Sequence, residues 1–177
     1  HLHGDLNTAI GYEAMGNDSA GSVNVAAGWR ALRNNKTGTE NVAIGVGALE
    51  ADSAGSYNTA VGRSASFFNK RGQLNSTFGY AAGNIADTSD YVTAMGAYSA
   101  NYNRSDFHTA IGYAAGYGNN AFAGTGGQEN TSVGAYALYS NVNGVKNTAV
   151  GNGALFGLNG SGSDYNRNSA LGDSALA

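Results

Sequence analysis

The strongest constraint on this chain is a five-residue unit, Asn41-Val42-Ala43-Ile44-Gly45, that returns along its whole length. Close copies run from Asn7 to Gly11, Asn24 to Gly28, Asn58 to Gly62, Asn75 to Gly79, Asn130 to Gly134, Asn147 to Gly151 and Asn168 to Gly172. Two looser copies, Val92 to Gly96 and His108 to Gly112, bring the set to ten. Successive motif glycines are 17, 17, 17, 17, 17, 16, 22, 17 and 21 residues apart. So short and regular a period means stacked structural repeats. Each copy alternates in character over its five residues, as a short strand does. The dozen residues that follow are rich in Gly, Asn, Ser and Asp, which favour turns. A repeat of 17 residues is too short for two helices and a turn, and 28 glycines would each cost about 1 kcal/mol inside helices. Collagen is excluded because glycine does not fall at every third residue. The expected fold is all-β: a parallel β-solenoid, or β-roll, of about ten 17-residue coils. Each strand pairs with its copy in the next coil, giving a rod roughly 45 Å long at ~4.8 Å per coil.

Numbering the motif Asn as position 0 turns the repeats into columns. Position 2 is Ala in eight copies, with Thr77 and Ser132 the exceptions, and position 7 is Ala in nine, with Ser99 the tenth. Small residues there imply a close approach. Position 3 is always apolar, and position 8 varies from Leu or Met to Gly. Ala27 with Leu32, Phe78 with Gly83, Met95 with Ala100 and Ile111 with Gly116 suggest that positions 3 and 8 trade volume in one narrow core. Asn7, Asn24, Asn41, Asn58, Asn75, Asn130, Asn147 and Asn168 are expected to stack as a structural asparagine ladder, passing amide hydrogen bonds up the rod. Val92 and His108 interrupt that ladder beside the single 16-residue gap, which predicts a local irregularity between about Tyr91 and Gly112.

Three segments follow: a lead-in over 1–6, regular coils over 7–112, and coils with loop insertions over 113–177, together one continuous repeat domain. The repeats run to Ala177 without a capping segment, so the chain reads as a fragment of a longer protein. Much of the 42% hydrophobic fraction is Ala, which buries little. So thin a core, with small residues inviting another backbone, points to a homotrimer closed about a threefold axis. A net charge of −3 with 12% charged residues offers no basic stripe for nucleic acid. No stretch is long and apolar enough for membrane insertion, and the absence of cysteine removes thiol chemistry.

Candidate binding residues come from surface aromatics and from the insertions. The position 5 column sets Tyr12 on Trp29 and Arg63 on Tyr80, and Glu13 stands beside Arg30 in the position 6 column. The insertions bring Tyr117, Asn119, Asn120, Phe122 and Tyr165, a mixture of rings and amides of the kind that recognises sugars. Asp90 and Asp106 should lie one above the other, which calls for a salt-bridge network through Arg104 or, alternatively, a bound Ca²⁺. The first of these is the simpler, so no metal, cofactor or catalytic residue is assigned. His1 and His3 read as a terminal remnant.

The run Asn147-Thr148-Ala149-Val150-Gly151-Asn152-Gly153-Ala154-Leu155 resembles the repeat region of bacteriophage tail fibres and related appendage proteins. It is also similar to the head domain of trimeric autotransporter adhesins, whose β-roll carries an Asn-Ser-Val-Ala-Ile-Gly motif. Both resemblances imply an extended trimer that contacts a cell surface, and neither carries catalytic residues over. The expected function is therefore that of a structural fibre segment of a phage tail fibre or similar appendage, helping attachment to a host-surface glycan or protein receptor. The alternatives are an adhesin head and a glycan-degrading tailspike. The location implied is extracellular, on a virion or a bacterial surface. A tailspike hydrolase would need two carboxylates facing one cleft, and only Asp87, Asp90 and Asp106 cluster; a non-enzyme is expected. An ice-binding rod would need flat paired ranks of Thr, whereas position 1 gives a single broken one.

Overall fold

The computed structural model describes residues 6–84, 88–102, 106–118, 129–141, 144–157 and 166–177. Ten strands of three residues each occupy motif positions 1 to 3: β1 (Thr8–Ile10), β2 (Val25–Ala27), β3 (Val42–Ile44), β4 (Thr59–Val61), β5 (Ser76–Phe78), β6 (Thr93–Met95), β7 (Thr109–Ile111), β8 (Thr131–Val133), β9 (Thr148–Val150) and β10 (Ser169–Leu171). They form one parallel sheet in chain order, and every pair is in motif register: Ala26 faces Ala43, Ala43 faces Ala60 and Ala60 faces Thr77. The described residues contain no helix, and the architecture is the β-solenoid that the period predicts.

The strands are short because the position 4 glycine turns the chain. Gly45 has φ +133, and a Cβ there would sit 2.5 Å from the carbonyl oxygen of Gly62 in the next coil. No other residue satisfies both the dihedral and the gap. Elsewhere in the coil the left-handed region is filled by ordinary side chains: Val23 (φ 60), Arg30 (φ 56), Leu32 (φ 50), Glu40 (φ 56) and Leu49 (φ 50). These occupy positions −1, 6 and 8, each costing about 1–2 kcal/mol in backbone sterics. The compensation is that Arg30, Leu32, Glu40 and Leu49 each turn the N–H along the rod. Arg30 donates to Tyr12 O at 2.9 Å, Leu32 to Ala48 O at 2.9 Å, and Glu40 to Ser22 O at 3.1 Å. Coil-to-coil hydrogen bonding thus continues well beyond the strands.

The interior is built from positions 0, 2, 7 and 8. Ala26, Ala43 and Ala60 at position 2, Ala31, Ala48 and Ala65 at position 7, and Leu32 and Leu49 at position 8 are all fully buried. Position 3, expected in that core, lies outside it. Ile10, Ile44, Phe78, Met95, Ile111 and Leu171 are exposed, and Ala27, Val61, Val133 and Val150 are half-buried. Alternation explains the difference: in a three-residue strand only the middle side chain points inward. The volume trade is real but runs between position 8 and the motif positions 0 and 2. A Cβ on Gly83 would meet Thr77 Cγ2, and one on Gly116 would meet His108 Nε2.

Each ladder asparagine bonds to backbone and does not pass amide to amide. Asn41 Nδ2 donates to Gly55 O at 2.8 Å in its own coil, and Asn41 Oδ1 accepts the N–H of Asn58 at 2.9 Å in the next. Asn24, Asn58, Asn75 and Asn130 repeat the arrangement. A second column that sequence reading missed runs beside it at position 11. There Asp18, Asn35, Asp52, Asn69 and Asn141 each accept the N–H of the glycine three residues on. The irregularity expected between Tyr91 and Gly112 does not reach the sheet. Thr93 still faces Thr109, and Val92 and His108 are fully buried in the ladder slots.

The apolar core divides into three clusters, Met15 to Ala65, Ala82 to Ala115 and Ala137 to Ala170. The divisions fall at polar insertions. Ser66 and Thr77 share a buried hydroxyl contact of 3.0 Å at the first, and His108 with Ser132 marks the second.

Candidate functional site

Trp29 stands at position 5 with 43% of its surface exposed, and its ring partner is Arg30 of its own coil, with the guanidinium 4.2 Å from the ring centroid. The expected stacking partner was Tyr12. Arg30 is in turn held by Glu13 at 2.9 Å and lies 3.7 Å from Glu50, while Arg33 meets Glu13 at 2.8 Å. Burial works against the charged form of Glu13, yet Arg33 and Arg30 outweigh it and keep its carboxyl below the ordinary value. The expected Glu13–Arg30 pair is therefore one edge of a four-residue network that already occupies Trp29. Arg63 sits 6.0 Å over the ring of Tyr80, as the column alignment predicts.

Asp90 and Asp106 do stack, and backbone donors from the preceding coil take up their oxygens. Gln73 N donates to Asp90 Oδ1 at 2.6 Å, and Asp90 N to Asp106 Oδ1 at 2.9 Å. Each carboxylate acts as a peg between coils. Among the described residues no three His, Asp or Glu side chains converge as metal ligands. Arg104 and Asp87 lie outside the described residues, as do Asn119, Asn120, Phe122, Tyr165, His1 and His3.

Tyr117 is the candidate that the fold places in company. It belongs to position 9, and both insertions begin beyond that position, so the column continues unbroken into Tyr139 and Phe156. These rings form a staircase: Tyr117 and Tyr139 have centroids 5.0 Å apart with planes 9° from parallel, and Tyr139 and Phe156 are 5.2 Å apart at 6°. Edge-to-face neighbours widen it. Tyr136 meets Tyr139 at 5.7 Å, Tyr113 meets Tyr136 at 5.3 Å, and Tyr102 meets Tyr117 at 5.6 Å. Through Tyr98 the strip reaches Tyr80. Burial against these neighbours raises the phenol pKa of Tyr117 and Tyr136, so both stay neutral near pH 7. The staircase does have a signal in the sequence: position 9 is Tyr117, Tyr139 and Phe156 in three successive coils.

Two buried titratable groups complete the account of the interior. Asp52 replaces Asn in the position 11 column; Asn35 and Asn69 use Nδ2 there to donate to Gly38 O and Gly72 O, whereas Asp52 Oδ2 has no hydrogen-bond partner. Burial pushes its carboxyl up to about 7. His108 fills a ladder slot opposite Gly116, and burial pushes its imidazole down to about 4. Compared with protein-family models, with curated proteins and with solved structures, the chain matches none.

Proposed function

We propose that this chain is a non-catalytic segment of a trimeric fibre, as in a phage tail fibre or a similar appendage, that helps attach its carrier to a bacterial cell surface. One observation carries the reading. The outward face of the sheet bears an apolar residue at position 3 in all ten strands, and none of the ten is buried by the chain's own fold. Isolated exposed apolar side chains are ordinary, but an unbroken column along a whole rod marks an interaction surface.

A second and third copy of the same chain fit that column best. A straight, periodic stripe is matched in length and pitch by itself, and threefold closure lets each stripe face the axis. The position 1 neighbours of the column are Thr, Ser or Val throughout, so no charge would be buried by such packing. The exterior left over is aromatic and weakly charged, suited to contact with surface polymers. Labelled protein incubated with intact cells from a panel of bacterial species is expected to be retained by some species, saturably and in competition with unlabelled protein. Retention by none, or unsaturable retention by all, would contradict the attachment role.

A further inference from the structure

We infer that the aromatic staircase of Tyr117, Tyr139 and Phe156, flanked by Tyr113 and Tyr136, is a binding strip for an extended, uncharged, β-linked polysaccharide lying along the rod. The inference deepens the attachment reading by naming the class of surface polymer.

Three features on this face support it. The first is spacing. The rings recur once per coil, 5.0 and 5.2 Å apart, and a pyranose in an extended β-1,4-linked chain advances by nearly the same step. Successive sugars can therefore meet successive rings without either partner bending. The second is presentation. Parallel rings in contact pack roughly 3.5–4 Å apart, so centroids 5.0 Å apart place each ring offset from the next, with part of its face uncovered. Tyr117 and Tyr139 are half-buried, and Tyr102, Tyr113, Tyr136 and Phe156 beside them are between 41% and 58% exposed. The carbon-bound hydrogens of an all-equatorial sugar lie on its two faces, where they meet the electron-rich face of a ring, while phenol hydroxyls can bond the sugar's hydroxyl rim.

The third feature is the absence of charge. From Tyr98 to Gly157, none of the described residues at positions 5, 6, 9 and 10 is Lys, Arg, Asp or Glu. A nucleic acid or other polyanion would find no cation to replace its counterions, and a basic peptide no carboxylate. The strip occupies positions 5 to 10, separated from the position 3 column by the glycine that ends each strand.

The test is titration of the full chain with cellohexaose and, separately, with maltohexaose, whose α-linkage coils the chain. Tyrosine fluorescence reports binding, and far-UV melting is recorded for every variant. The expected result is saturable binding of cellohexaose, at least about tenfold weaker for maltohexaose. Tyr139→Ala and Phe156→Ala should each weaken cellohexaose about tenfold or more, Tyr139→Phe should retain it, and Tyr57→Ala, at an exposed ring of another column, should leave it unchanged. No saturable binding, equal affinity for both sugars, or full affinity in the correctly folded alanine variants would overturn the inference. Failure here leaves the trimer reading intact, since that rests on particle mass, whereas a monomeric rod that still binds cellohexaose would remove the fibre and keep the strip.

Discussion

Two buried groups should give this rod a pH response that neither shows alone. Asp52 has its folded-state carboxyl raised to about 7 from 3.8, so its neutral form stabilises the fold at pH 4, and that contribution is lost as pH rises toward 7. His108 has its imidazole lowered to about 4 from 6.5, so its contribution is present above pH 6.5 and lost as pH falls toward 4. The slopes oppose each other over pH 4 to 6.5, and denaturant unfolding of the native chain should show a shallow profile there. Asp52→Asn supplies the missing donor and should stabilise the rod at pH 7. It should also uncover the His108 slope, with stability rising by about 3 kcal/mol between pH 4 and 6.5. A variant profile parallel to the native one would contradict this assignment. At Val23, a β-branched residue at φ 60, Asn should be about 1 kcal/mol more stable, read as a shift in denaturation midpoint at unchanged slope.

The coil, as the repeating element, is held by columns, and its predictions concern pairs of positions. Asn41→Ala strips buried Gly55 O and Asn58 N of their partners at once. A loss of about 3 kcal/mol is expected; a loss below 1 kcal/mol in the same unfolding experiment would mean the ladder is ornamental. His108 and Gly116 test the volume trade. Gly116→Leu alone drives a side chain into the imidazole, and His108→Asn alone leaves a void. The two together restore the combination found at Asn41 and Leu49, so the double variant should be more stable than the sum of the single effects by at least about 1 kcal/mol.

At this scale the sequence was also most legible. The strand, its register and the glycine corner follow from Asn-to-Gly pentads that repeat with small residues at fixed offsets, because register in a parallel stack is set by the period itself. Position 3 was misplaced because an apolar residue looks the same facing a core or facing a neighbour. The left-handed residues were hidden for another reason: Arg30, Leu32 and Glu40 have no preference for that region, and tertiary hydrogen bonds impose it. Gly47 and Gly153 at position 6, with Gly83 and Gly116 at position 8, were the available hint. The aromatic staircase was half visible. Tyr117 stands out in the sequence beside its loop, while the rings it joins, Tyr139 and Phe156, lie one and two coils further on in its own column.

For the whole molecule, the amount of surface is unexceptional. The chain exposes 8075 Å², close to the ~8000 Å² of a compact monomer of 17.9 kDa. What sets it apart is the arrangement, with an interior of alanine and a few position 8 leucines and an unbroken apolar column at position 3 on the outer face. A rod so built has its strongest hydrophobic stripe facing outward, and stability should accordingly depend on protein concentration. Replacing that stripe at its middle, with Ile44→Asp, should weaken association while leaving the coil itself able to form, because the Ile44 side chain is exposed on the outer face of the sheet.

The mass of the particle in solution tests the central claim most directly. Light scattering on the purified chain at neutral pH should give about 54 kDa, three times the 17.9 kDa of one copy, falling toward a single copy for Ile44→Asp. A native chain that stays at 17.9 kDa while melting cooperatively and independently of concentration would contradict it.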